Sequence, residues 1–201
     1  VEFGSWRSTL PHSLSTDLVG MTDGSITAEP GRLYKVDGQS LFIPLDARAP
    51  LPFEDDSFDW VYAEHFIEHI SATEAIFWLT EVRRVLAPTG TIRLTTPDLR
   101  RYVDSYLSAD GGFFPEHRDG LYQRGARPRL PERPAFMMNL IFYFWGHRWI
   151  YDFDELRYAL GEAGFDPDTV VRRAFHEGAL PEVAMLDRET RRHETMYVEA
   201  G

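Results

Sequence analysis

The run from Phe58 to Thr96 leaves few architectures open. Phe58 to Ala63 is a short apolar stretch behind a turn-like Glu54-Asp-Asp-Ser57, as expected of a buried strand. Ser71-Ala-Thr-Glu74 is a capping box, in which a hydroxyl and a carboxylate satisfy free amides of a first helical turn. It opens a helix with Ile76, Leu79, Val82 or Arg83, and Leu86 along one face, stopped by Pro88 and Gly90. Thr91 to Thr96 is β-branched and strand-like. Strand, helix, strand is the unit that joins parallel neighbours, because a tight turn can join only antiparallel ones.

The alternation continues on both sides. Upstream, Val1-Glu-Phe3 leads into a turn at Gly4, Leu14 to Val19 holds a short strand around Asp17, and Leu41 to Leu45 ends at Asp46. The stretch with Gly20, Gly24, Gly31 and Gly38 resists assignment. Downstream, Pro97-Asp98 starts a helix with Leu99, Val103, Tyr106 and Leu107 as its apolar side. Asp152-Phe-Asp-Glu155 is a second capping box, for a helix running to Gly161 or Gly164, and Val170 to Phe175 and Glu194 to Ala200 are the last strands. The expected fold class is α/β, a parallel sheet with helices on both faces, in one domain over residues 1–201.

Composition excludes several classes. A net charge of -11 is the wrong sign for a general nucleic-acid surface. The absence of cysteine removes disulfide scaffolds and thiolate metal sites. The longest apolar run, Ala135 to Trp145, contains Asn139 and falls short of the roughly 20 residues of a membrane span. No leader is visible, Val1 is not an initiator Met, and the cytoplasm is the default compartment.

In parallel sheets ligands sit at the carboxyl ends of the strands. Gly4, Ser5, Asp17, Asp46, Glu64, His65, Thr95 and Thr96 fall at those ends. Carboxylates there suit a ligand with a diol and an amine, although a single Asp at a strand end is more often a helix cap. His65-Phe-Ile-Glu68-His69 spells H-x-x-E-H, a zinc-hydrolase pattern when it lies inside a long helix. Here a strand leads straight into it, so no metal ligand is assigned.

Leu51-Pro-Phe-Glu-Asp-Asp-Ser-Phe-Asp59, Tyr62-Ala-Glu-His-Phe-Ile-Glu-His-Ile70, Glu81-Val-Arg-Arg-Val-Leu-Ala-Pro-Thr-Gly90 and Thr95-Thr-Pro-Asp98 form an ordered set. Together they resemble class I S-adenosylmethionine-dependent methyltransferases of the broad bacterial type 11 group. Phe144 to Asp152, Ala163-Gly-Phe165 and Glu194 to Ala200 look like a subgroup of these enzymes, and residues 1–40 match poorly. The resemblance implies a Rossmann-like, doubly wound, mostly parallel seven-stranded sheet with an antiparallel last strand, and S-adenosyl-L-methionine as cofactor. It implies that Gly4 and Ser5 form the turn beside the methionine part, that Asp17 faces the ribose diol, and that Asp46 with Ala47 lies near the adenine amine. Ala63, Glu64 and His65 are implied at the sulfonium end. Gly4-Ser-Trp-Arg7 departs from the family's glycine-rich loop, which keeps a non-catalytic relative open as an alternative. A metal-dependent hydrolase built on His65, Glu68 and His69 is the other. A divalent ion at Glu68 and His69 is a third, narrower reading.

Transfer to an oxygen or nitrogen needs alignment and removal of a proton, for which His65 and His147 are the candidate bases. The segment 111–145 is read as an acceptor-binding insertion. Between Gly111 and Pro134 stand Arg118, Arg124, Arg127, Arg129 and Arg133 against Glu116, Asp119 and Glu132, a basic island suited to an anionic acceptor. The expected partner is thus a small or sugar-containing acceptor, with no nucleic acid and no membrane span. The apolar run up to Trp145 suits an acceptor pocket or a homodimer face.

Overall fold

Side-chain alternation along the strands decides which residues face which layer. The computed structural model describes residues 1–5, 13–18, 29–36, 40–123, 125–126 and 130–201. Its strands are β1 (Glu2–Phe3), β2 (Leu14–Asp17), β3 (Tyr34–Val36), β4 (Ser40–Pro44), β5 (Phe58–Glu64), β6 (Leu86–Pro97), β7 (Val171–Arg173) and β8 (Thr195–Ala200). They form one sheet in the order β3-β4-β2-β1-β5-β6-β8-β7. β4, β2, β1, β5 and β6 run parallel, and β8 is antiparallel to both of its neighbours. The chain leaves the centre toward β2 on one side and β5 on the other, so β1 and β5 flank the point where strand order reverses. Such a point opens a ligand crevice.

The Rossmann-like α/β expectation holds, with eight strands instead of seven. The extra strand, β3, pairs antiparallel with β4 at the sheet edge and lies within the glycine-containing stretch left unassigned from sequence. β6 also starts earlier than expected, at Leu86, because Leu86 pairs with Phe58 before a register irregularity.

The helices are α1 (Ala72–Val85), α2 (Leu99–Leu107), α3 (Phe114–Gln123), α4 (Pro134–Tyr143), α5 (Phe153–Glu162) and α6 (Pro181–Ala184). The capping box of α1 forms in full. That of α5 forms by half: Asp152 accepts from the Glu155 amide, while the Glu155 carboxylate accepts from Trp149 Nε1 at 2.9 Å. α1 and α5 cover the face with Phe3, Val61, Ala63, Ile92, Leu94 and Val198, where Trp78, Leu79 and Leu156 are fully buried. The chain from Ala174 to Asp187, α6 included, reaches the other face through Arg93 and Glu199.

A second apolar cluster joins Tyr102 of α2 to Phe114, Leu121, Met137, Leu140, Ile141 and Ile150. This corrects the expected face of α2. Tyr102 and Ser105 are its buried positions, while Tyr106 and Leu107 are exposed, because Phe113 and Phe114 pack on the Tyr102 side. The segment 111–145 therefore contains α3 and α4. Of its basic island, Arg118 pairs with Glu132 at 3.4 Å and Arg133 lies over Phe136. Arg124, Arg127 and Arg129 lie outside the described residues, as do Trp6, Arg7, Val19, Gly20, Gly24 and Gly38.

Candidate active site

The ends of β1, β2, β4 and β5 converge on a cleft of about 500 Å3. Gly4, Asp17, Asp46, Ala47, Glu64 and His65 all line it, so most of the residues singled out at the strand ends share one rim. Ser5 and Ala63 are buried against it, and His147 is not in its lining.

Gly4 has φ +67°, and a Cβ there would meet Phe66 Cβ at 3.0 Å. Both conditions demand glycine, so the turn after β1 is built for close approach. Ser5 continues it by donating its amide to the Thr16 carbonyl at 3.1 Å, which ties this turn to the end of β2. Asp17 closes β2 and is half-buried. Asp46 is held by its neighbour Arg48, Nε to Oδ1 and Nη2 to Oδ2 at 2.8 Å each, and this pairing keeps its carboxyl below the usual range. Both partners are partly exposed, so solvent screens the pair and a ligand can compete for Asp46.

Glu64 is already engaged. Its carboxylate accepts the Arg188 amide at 3.0 Å and pairs with the Arg188 guanidinium at 2.8 Å. Burial raises its pKa while Arg188 opposes the rise. Glu64 therefore anchors the Arg188 wall of the cleft.

His65 is turned inward. Its backbone has φ +47°, and its side chain is 5% exposed. Thr195 Oγ1 donates to the Arg191 carbonyl at 2.7 Å, so it accepts from His65 Nε2 at 2.7 Å. The other nitrogen, Nδ1, is then unprotonated and stands 3.3 Å from Glu68 Oε1. Burial lowers the His65 pKa well below its ordinary value, with Arg191 adding to the effect, and burial pushes Glu68 up to about 8. The pair is thus neutral, a protonated carboxyl against an imidazole lone pair, and not an ion pair. Thr96 Oγ1 donates to the second Glu68 oxygen at 3.1 Å. Through its Nε2 bond to Thr195, His65 holds the end of β5 to the start of β8.

The H-x-x-E-H stretch is a strand end followed by a 3₁₀ turn, Ile67–His69, and not a helix, so its two histidines do not share a helical face. His69 lines the cleft. Behind it stands His147, whose ring lies 4.9 Å away, edge to face. His147 Nδ1 bonds the Ile141 carbonyl as donor, which leaves Nε2 as the lone-pair nitrogen. Burial lowers both histidines, His147 to about 4. Each is neutral near pH 7.

Among the cleft residues that escaped the sequence reading are Arg188 and Arg191. They precede β8, which is antiparallel, so its beginning lies at the rim where parallel strands end. The signal available was the charge cluster from Arg188 to Arg192, which reads as a solvated run. Glu68, His69 and His147 also bring one ligand atom each within 4.8 Å of one another.

The cleft fits an adenosyl cofactor. Its volume lies in the range of small-molecule sites, and two carboxylates stand at strand ends on one wall beside a glycine that admits close backbone contact.

Residues 26–94 match the Methyltransf_11 family model, described as "Methyltransferase domain". No curated protein sequence matches the chain. Among solved structures, the methyltransferase crystallised with the Haloferax volcanii Trm112 activator is 17% identical with a TM-score of 0.51, covering 99% of this chain and 80% of that one. An S-adenosylmethionine-dependent methyltransferase from Archaeoglobus fulgidus is 12% identical with a TM-score of 0.50, covering 99% and 83%. An O-methyltransferase of Nostoc punctiforme is 15% identical with a TM-score of 0.44, and this chain spans only 36% of its length. The first two likenesses show the fold alone, and the family match covers residues 26–94. Together they show a methyltransferase-domain match over residues 26–94 and a fold shared with solved S-adenosylmethionine-dependent methyltransferases.

Proposed function

We propose that the chain methylates an oxygen or nitrogen of a small or sugar-containing acceptor that carries a negative charge. One observation carries this reading. The cleft that holds Asp17 and Asp46 is also lined by a neutral imidazole, His69, and a guanidinium, Arg191, which makes no salt bridge among the described residues. A carboxylate or phosphate of the acceptor would give Arg191 its counter-charge, and the pair of charge-assisted bonds would orient the nucleophile. His69, backed by His147, would take the acceptor proton, a role better suited to these two than to the enclosed His65. Asp17 would accept hydrogen bonds from the ribose diol and Asp46, released from Arg48, from the adenine amine. This reading places the protein in the cytoplasm; no helix among the described residues is long and apolar enough to cross a membrane.

Calorimetric titration with S-adenosylmethionine and its demethylated product tests the cofactor half. Asp17→Ala should weaken binding by about 10- to 100-fold, the worth of hydrogen bonds to a charged group. Release of the demethylated product in a panel of hydroxyl and amine acceptors tests the rest: anionic acceptors should react, and Arg191→Gln should raise KM for them more than it lowers kcat. Absence of cofactor binding would leave only a binding module with this fold.

A further inference from the structure

We propose that His117, His193 and Glu194 form a site for one divalent transition-metal ion, zinc by donor preference, at the junction of α3 and the chain entering β8. Each of the three offers a ligand atom, and these atoms lie within 4.8 Å of one another. His117 Nδ1 is 2.7 Å from His193 Nε2 and 3.6 Å from Glu194 Oε2. Ligands around a tetrahedral zinc with bonds near 2.0–2.1 Å stand roughly 3.3 Å apart, a value these two distances bracket. Shifts of a few tenths of an ångström would admit the ion.

The surrounding bonds set the His117 and Glu194 ligand atoms in the right state, while His193 Nε2 donates to His117 Nδ1 and would release that proton on binding the ion. Tyr102 Oη donates to Glu194 Oε2 at 2.7 Å, so its oxygen can accept only from the His117 Nε2 side, 3.4 Å away. A neutral His117 therefore carries its proton on Nε2 and turns the Nδ1 lone pair toward His193 and Glu194. A metal-bound histidine with its second nitrogen on a polar partner, and a carboxylate fixed by a hydroxyl, is the usual outer shell of such a site. His117 and Tyr102 are 2% exposed, and Phe113 packs against Tyr102, His117 and His193. Two imidazoles and a carboxylate favour zinc, cobalt or nickel over calcium and magnesium. The cluster shares no residue with the group Glu68, His69 and His147, of which His69 lines the cleft already described. Its position gives it a use: it would pin the segment that carries Arg188 and Arg191 to α3.

The test is titration of the full, chelator-treated chain with Co2+, which reports a tetrahedral site by its visible absorption, together with zinc-dependent thermal unfolding. One saturating equivalent and a raised Tm with zinc are expected. His193→Ala, at a half-buried position, should lower Co2+ affinity by about tenfold or more, and Tyr102→Phe by roughly 10- to 100-fold. His69→Ala should leave Co2+ binding intact. Absence of saturable binding, or binding lost in His69→Ala but kept in His193→Ala, overturns the proposal. Neither readout depends on methyl transfer, so a failure here is distinct from a failure of the proposed activity.

Discussion

The two faces of this sheet are both buried and are built on opposite principles. One presents Phe3, Val61, Ala63, Ile92, Leu94 and Val198 to α1 and α5. The other presents Glu2, Ser15, Tyr62, Arg93, Thr95 and Glu199, every one under 5% exposed. Register makes the separation strict, since Tyr62 pairs with Arg93 and Arg93 with Glu199, while Ala63 pairs with Leu94 and Leu94 with Val198. The apolar face is held by area removed from water. The polar face is held at its centre by a hydrogen-bonded charge network, with the Tyr62 and Thr95 hydroxyls outside it: Arg93 donates to Asp187, to Glu199 and to the carbonyls of Ala174 and Glu177. Glu199 in turn accepts from Arg173 and from the Ala179 amide. The first design tolerates a lost atom gradually, and the second fails at once if one partner goes.

That contrast can be broken experimentally. Arg93→Met strands Asp187 as a buried charge and removes one of the two arginine partners of Glu199, and should cost about 3–5 kcal/mol in urea unfolding, the largest effect expected. Leu94→Ala, its neighbour on the opposite face, should cost about 2–4 kcal/mol and leave a cavity without leaving an unpaired charge. A cost for Leu94→Ala larger than for Arg93→Met would refute the comparison.

Glu68→Gln sharpens it with pH. The carboxyl titrates near 8 in the folded chain against 4.5 when free, so the native state keeps a proton that the unfolded chain releases. Stability from this group is complete below pH 4.5 and declines as pH rises toward 8. Glu68→Gln should abolish that decline and raise stability at pH 8 by on the order of 1–3 kcal/mol. His147 has the opposite sign: its value of about 4 lies below 6.5, so stability falls as pH drops from 6.5 toward 4, and His147→Gln should flatten that limb. The smallest effect belongs to Tyr62→Phe. Its buried hydroxyl has no recorded partner, so removing it should leave unfolding stability within about 1 kcal/mol of the parent.

Much of this was legible in the letters. The Ser71 capping box, the β-branched run to Thr96 and the strand ends at Asp17 and Asp46 are local signals, and each stands where it was read. The rest depends on what covers what. Alternation in Glu2-Phe3 and Arg93-Leu94 predicts two faces but cannot say that Ala174 to Asp187 folds over the polar one. His65 lines the cleft but bonds Thr195 through Nε2, and His69, not read as a base, lines the same cleft. The apolar side of α2 was misread because Phe113 and Phe114 approach Tyr102 from elsewhere in the chain.

The reversed direction of β8 has a consequence for inheritance and for engineering. A parallel layer hands each crevice to the loops that follow its strands, so specificity changes are sought there. In this molecule the final strand delivers the residues before it, and the polypeptide's last quarter closes the mouth opened by its first. Swapping the stretch 188–194 between relatives should therefore retune which molecules enter while leaving the wall with Asp17 and Asp46 unaltered.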